Sequence, residues 1–142
     1  MRFWDSSAIT PTFVEEPTSG RMRALVDDGT TVGVWWGTIV ECTSAVVRRE
    51  RSGDLSPQDA LDAFVTLDRL SEEWAEIPPT DRLRDDARRM IRIHALRAGD
   101  AFQLAAARAA SDDHPETLPF VTLDDRLALA ASREGFSVLG LG

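Results

Sequence analysis

The chain has no lysine: all 16 of its basic residues are arginines. Schiff-base chemistry and lysine-assisted phosphate binding are therefore excluded. It has no tyrosine and one cysteine, Cys42, so no internal disulfide can form. That cysteine usage makes the cytoplasm the expected compartment. No apolar run is long enough to span a bilayer, and Met1-Arg2-Phe3-Trp4-Asp5 lacks the apolar core of a signal peptide. No membrane partner is expected. His94, His114 and Cys42 are scattered without zinc spacing, and neither familiar glycine-rich phosphate loop occurs. Without repeats, low-complexity tracts or linkers, residues 1–142 are expected to form a single domain.

What is present is an acidic, globular composition. Hydrophobic residues make up 43% and charged residues 28%, and the net charge is −8. Such a balance argues against gripping nucleic acid by bulk charge. Short β-rich segments alternate with helical patterns. Arg2-Phe3-Trp4 reads as a strand, and a helix follows from about Ser7, with Pro11 early in it either shaping its entry or interrupting it. Thr18 is a cap for a helix carrying Met22, Leu25 and Val26. Thr31–Trp35 reads as a strand. The helix after it runs to Arg51, with Ile39, Thr43, Val46 and Val47 at helical spacing.

Ser56-Pro57 is an N-cap followed by a first-turn proline. Ala60, Ala63, Phe64, Leu67, Leu70 and Trp74 then share one helical face. Ala75-Glu76-Ile77 reads as a short strand. Thr80 caps a helix bearing Leu83, Ala87, Met90, Ile91 and His94, with Arg82/Asp86 and Asp85/Arg89 as ion pairs four apart. An Ala-rich helix follows Gly99. Pro119–Thr122 reads as a strand, Asp125–Arg133 as a helix, and Phe136–Leu139 as a last strand. The alternation predicts an α/β layer fold with a parallel sheet.

In such a sheet, ligands bind beyond the carboxyl ends of the strands. Asp5 follows the first strand and Asp124 follows the Phe120–Thr122 strand, so both belong to that edge. Each also suits the helix N-cap that Asp commonly supplies. Asp100 sits at the start of the Ala-rich helix, where a cap is the ordinary use of an aspartate. Glu41 interrupts the run Ile39-Val40-Glu41-Cys42. Thr38-Ile39-Val40-Glu41 matches the capping-box pattern, whereas a carboxylate in an apolar run calls for a compensating partner such as a cation. Taken together, Asp5, Glu41, Asp100 and Asp124 form an all-oxygen donor set suited to Mg²⁺ or Mn²⁺. Cys42 reads as a small buried hydrophobe, and His94 as a satisfied core residue.

Asp5-Ser6-Ser7-Ala8, Glu41, Leu96-Arg97-Ala98-Gly99-Asp100-Ala101 and Phe120-Val121-Thr122-Leu123-Asp124-Asp125-Arg126-Leu127 occur in this order across the chain. The ordered set resembles the PIN domain, and within it the VapC-like ribonuclease toxins of type II toxin–antitoxin pairs. The resemblance implies a three-layer α/β/α fold with a five-stranded parallel sheet. It implies a Mg²⁺- or Mn²⁺-dependent endoribonuclease, a cognate antitoxin protein, an RNA substrate and a homodimer.

The family's acidic residues carry over to Asp5, Glu41, Asp100 and Asp124, with Asp5, Asp100 and Asp124 orienting the metal and Glu41 binding it or positioning the water. Its hydroxyl residues carry over to Ser6 and Thr122. Asp125 is the alternative last ligand, although the Thr-x-Asp spacing favours Asp124. Gly99 and Gln103 stand where relatives often have other residues. Arg48, Arg49 and Arg51 serve either as a basic rim for RNA or as the cationic end of their helix.

Two other acid-edged α/β classes fit poorly. A phosphoacceptor receiver domain needs a lysine, and a haloacid-dehalogenase phosphatase needs a second Asp two places after the first, where Ser7 stands. The remaining alternatives are a PIN nuclease of RNA maturation without an antitoxin and a degenerate, non-catalytic PIN-like binding module.

Overall fold

The computed structural model describes residues 1–141; Gly142, the last residue of the expected 1–142 domain, lies outside the described residues. Five strands form one sheet: β1 (Arg2–Trp4), β2 (Val32–Trp35), β3 (Ala75–Ile77), β4 (Phe120–Val121) and β5 (Val138–Leu139). Their order is β3-β2-β1-β4-β5, and every pairing is parallel. Among the described residues seven α-helices accompany them: α1 (Ser6–Ile9), α2 (Ser19–Val26), α3 (Thr38–Arg51), α4 (Pro57–Ser71), α5 (Asp81–Ile93), α6 (Ala98–Ala110) and α7 (Asp125–Arg133). This is a PIN-like three-layer α/β/α arrangement.

Alternation along the central strands divides the core. In a strand successive side chains point to opposite faces. Phe3 and Phe120 therefore join the cluster beneath α5, α6 and α7, while Trp4 and Val121 join the one beneath α1 to α4. The Phe3 and Phe120 rings stack across β1 and β4 at 5.3 Å. Helix α6 is the most enclosed, with Ala101, Leu104, Ala105, Ala106 and Ala107 all buried; alanine lets its backbone lie close to the sheet.

Of the two roles open to Pro11, it takes the interrupting one: the chain tightens into a 3-10 turn over Thr10–Thr12, because proline has no N–H to continue the helical ladder. Several sequence expectations need correcting. Thr18 precedes α2 but its side chain makes no cap bond. The buried face of α3 is Thr38, Cys42 and Val46; of the expected stripe, Val46 is buried and Ile39 packs against the same cluster, whereas Thr43 is exposed and bonds back to the Ile39 carbonyl. On α5, Ile91 is 44% exposed. His94 is the C-cap of α5, not part of its apolar face. Its ring bonds Glu134 Oε2 at 2.8 Å. The expected Arg82/Asp86 and Asp85/Arg89 pairs are replaced: Asp86 meets Arg89 and Arg108, and Arg82 meets Asp113. Ser56 and Thr80 do cap their helices, accepting from the Asp59 and Leu83 N–H groups.

The topology sets the position of the site. From β1 the chain moves outward to β2 and β3, then returns to the other side of β1 for β4 and β5. Strand order thus reverses between β1 and β4. Loops leaving these two strands in opposite directions open a crevice at their carboxyl ends.

Candidate active site

Asp5 and Thr122 flank that crevice. The sheet ladder continues one rung past β1, with the Asp5 N–H donating to the Val121 carbonyl at 3.0 Å, and past β4, with the Thr122 N–H donating to Leu139 at 3.0 Å. Gly140 allows the second approach. It has φ +108°, and a Cβ there would stand 2.5 Å from the Thr122 carbonyl oxygen. Backbone pairing therefore anchors both residues.

The Asp5 carboxylate is 2% exposed and fully engaged. Oδ1 accepts from the Ser7 N–H at 2.7 Å and from Ser6 Oγ at 3.4 Å. Oδ2 accepts from Ser7 Oγ at 2.7 Å and from Thr122 Oγ1. Ser7 Oγ also accepts from the Leu123 N–H at 3.0 Å, tying the loop after β4 to α1. Burial raises the Asp5 pKa against the lowering effect of the Thr122 and Ser7 bonds, and Asp124 adds repulsion.

Glu41 stands in the first turn of α3, but no capping box forms. The N-cap is Gly37, without a side-chain bond. Glu41 instead accepts from Ser6 Oγ at 3.1 Å and from Gln103 Nε2 at 2.9 Å. Gln103 is completely buried and also donates to Thr38 Oγ1 at 3.0 Å. Burial pushes the Glu41 pKa up, with Asp5 and Asp100 contributing repulsion.

Asp100 is not the cap of α6; that position belongs to Arg97. It lies in the first turn, where the helix N-terminus favours a carboxylate. Burial, then repulsion from Asp124 and Asp5, raises its pKa to about 6, while Arg97 and Arg126 act in the opposite sense. Asp124 is both N-cap of α7, accepting from the Leu127 N–H at 2.8 Å, and a wall of the crevice. Asp125 is exposed and does not line it.

One pocket of about 1180 Å³ thus receives Asp5, Ser6, Glu41, Asp100 and Asp124. Thr122 is fully buried behind Asp5. The pocket continues along α3 past Ser44 to Arg48 and Arg49. Arg49 is held by Glu16, leaving Arg48 the more exposed cation of the two; Arg51 is not in the lining. Sequence reasoning missed Ser7 as a ligand of Asp5. It marked Gln103 only as an unusual residue, although a lone amide in an alanine-rich buried helix signals a polar partner. Cys42, next to Glu41 on α3, is buried. Desolvation pushes its thiol up to about 12, so it is no nucleophile.

A family model described as the PIN domain matches residues 2–132. The chain belongs to the PIN domain family. That family consists of nucleases. The fold is shared with FitAcB from Neisseria gonorrhoeae, at a TM-score of 0.68 and 16% identity over 99% of this chain and 97% of the other. It is equally similar to Mycobacterium tuberculosis VapC20, a sarcin–ricin loop cleaving toxin, with TM-score 0.69 and 18% identity over 96% of each chain. No curated protein matches the sequence.

PIN nucleases generally use a divalent metal. Among the described residues, no three His, Cys, Asp or Glu side chains lie close enough to grip one ion as arranged. The donor set still fits a hard cation in its chemistry. It is all oxygen, and three of its carboxyl groups have raised pKa values from burial and mutual repulsion. A cation would relieve that repulsion.

Proposed function

We propose that this PIN domain is a Mg²⁺- or Mn²⁺-dependent endoribonuclease and the toxin of a type II toxin–antitoxin pair. The carrying observation is the convergence of four carboxyl groups in one crevice at the strand-order reversal. The likeness to VapC20 supports the choice of RNA as substrate. A homodimer and a small antitoxin protein are part of the same reading. No helix among the described residues is long and apolar enough to cross a membrane.

Asp5, Asp100 and Asp124 would hold the metal, with Glu41 beside them; Asp125 points elsewhere. When bound, the ion lowers the pKa of water and offsets charge on the phosphate. The chain's own residues supply the positioning. Ser7 and Thr122 fix the rotamer of Asp5 through its Oδ2, and Ser6 bridges Asp5 and Glu41. Gln103 aims the Glu41 carboxylate, which can orient a water or take its proton. Arg48 is placed to contact a phosphate further along the strand.

Expression of the chain alone tests the reading. Growth arrest and cut RNA are expected, with both lost in Asp5→Asn and cutting by the purified protein stopped by EDTA. A small protein encoded beside the gene should relieve the arrest. Cutting that persists in EDTA would overturn the metal-dependent mechanism, and arrest without cut RNA would overturn the substrate.

A further inference from the structure

A second hollow, of about 660 Å³, adjoins the acidic pocket and shares Val40, Glu41 and Gly99 with it. Its character is different. Trp36 is 55% and Val40 67% exposed, an unusual pair of large apolar side chains at the mouth of a charged site. Beneath them Trp35 stacks on Phe102, ring centroids 5.2 Å apart and 2° from parallel, while Trp36 meets Trp35 edge-on at 6.3 Å. The turn carrying Trp36 is tightly specified, since a Cβ on Gly37 would stand 2.5 Å from Trp35 Nε1. Between the two hollows lies Gly99. It lines both hollows beside Glu41, and a Cβ there would make only ordinary contact, 3.7 Å from Glu41 Oε2.

We propose that this hollow is a nucleobase site, in which a base flanking the bond to be cut stacks on Trp36. The proposal rests on the ribonuclease reading above and adds a residue that selects the substrate. Its warrant is continuity. A phosphate held among the acids places an adjoining nucleotide at the Glu41–Gly99 border, and beyond that border stands an exposed aromatic plane. Unstacked RNA bases are recognised by such planes, and their edges by nearby polar groups. Thr80, Asp81 and Arg84 line the same hollow and offer those groups. The occupant is thus a base of single-stranded or looped RNA, because a paired base cannot turn its face to the protein.

The test uses the full chain carrying Asp5→Asn, in which cutting is expected to be lost, in Mg²⁺, and compares binding only among probes and variants that share this background. The probes are a short single-stranded RNA spanning the mapped cut and the same RNA made abasic on one side of the cut, then on the other. Removing the base on one side is expected to weaken binding about 5- to 150-fold, the range for one base–aromatic stack. Adding Trp36→Ala should weaken binding of the intact RNA by a similar factor and abolish the difference between intact and abasic probes. Trp36→Phe should retain it. Undiminished discrimination in Trp36→Ala overturns the proposal. So does a Trp36→Ala chain that binds RNA normally but turns from dimer to monomer by light scattering, since a second copy then covers the patch. A parent chain that cuts no RNA overturns the ribonuclease reading and this proposal together, whereas cutting without base discrimination overturns this proposal alone.

Discussion

Gln103 donates one amide N–H to Glu41 and another to Thr38, and no solvent reaches it. Glu41 would otherwise hold its carboxylate by Ser6 alone. Replacing Gln103 by Met keeps the volume and removes both donors. Loss of such an outer partner commonly costs about 10–100-fold in metal affinity or activity, and Gln103→Met is expected to lower Mn²⁺ affinity in calorimetry by that factor. Leaving the Thr38 hydroxyl buried and unpaired should also cost about 1–3 kcal/mol of stability. A variant with less stability but unchanged Mn²⁺ affinity would make Gln103 a packing residue only. Asp5 is held quite differently, by three hydroxyls, a backbone N–H and a sheet rung, so its position does not depend on any one neighbour.

At the scale of elements, the far face of the molecule is tied by one arginine. Arg108 on α6 donates to Asp86 on α5 at 2.7 Å and to Glu134 after α7 at 2.8 Å. His94 and Arg89 complete the network on the same two carboxylates. This group fixes α6 relative to its neighbours, and α6 carries Asp100 at its other end. Charge-assisted bonds of this kind contribute about 1.5–3 kcal/mol. Arg108→Ala should therefore lower stability by about 1–3 kcal/mol in urea unfolding, the remaining cations softening the loss. Cutting by the folded fraction should be little changed, because Arg108 lies a full helix away from the crevice. An unchanged urea midpoint would show the network to be ornamental to stability.

For the whole molecule, the crevice is a place where folding brings like charges together. The raised Asp100 pKa, about 6 against an ordinary 3.8, means the folded state holds a proton that the unfolded chain has released. Between those values the folded state binds more protons, so stability falls as pH rises. Asp5 and Glu41 act in the same direction. In EDTA, Asp100→Asn should thus melt higher than the wild type at pH 7, and the gap should close toward pH 4. Saturating Mn²⁺ should raise the wild-type melting temperature and affect Asp100→Asn much less. A wild type that gains stability relative to Asp100→Asn as pH rises would mean that Arg97 and Arg126 outweigh burial and repulsion.

The alternation of short strands and helices was written in the sequence, because strand and helix periods and their capping residues are local properties. Ser56, Thr80 and Pro57 mark their helices without reference to anything distant. The edge to which Asp5 and Asp124 belong was legible too, since each directly follows a strand. Tertiary structure decided the rest. Whether Glu41 closes a capping box or faces Ser6 and Gln103 depends on residues 35 and 62 positions away, and no local pattern encodes that choice. Asp100 had the look of an ordinary cap until folding placed it opposite Asp5 and Asp124. Trp36 and Trp35 are adjacent and equally apolar, yet one is enclosed and the other exposed, because β2 ends between them and only the strand residue is covered by α6. Local energetics set the elements; the meeting of side chains far apart in the chain sets the chemistry.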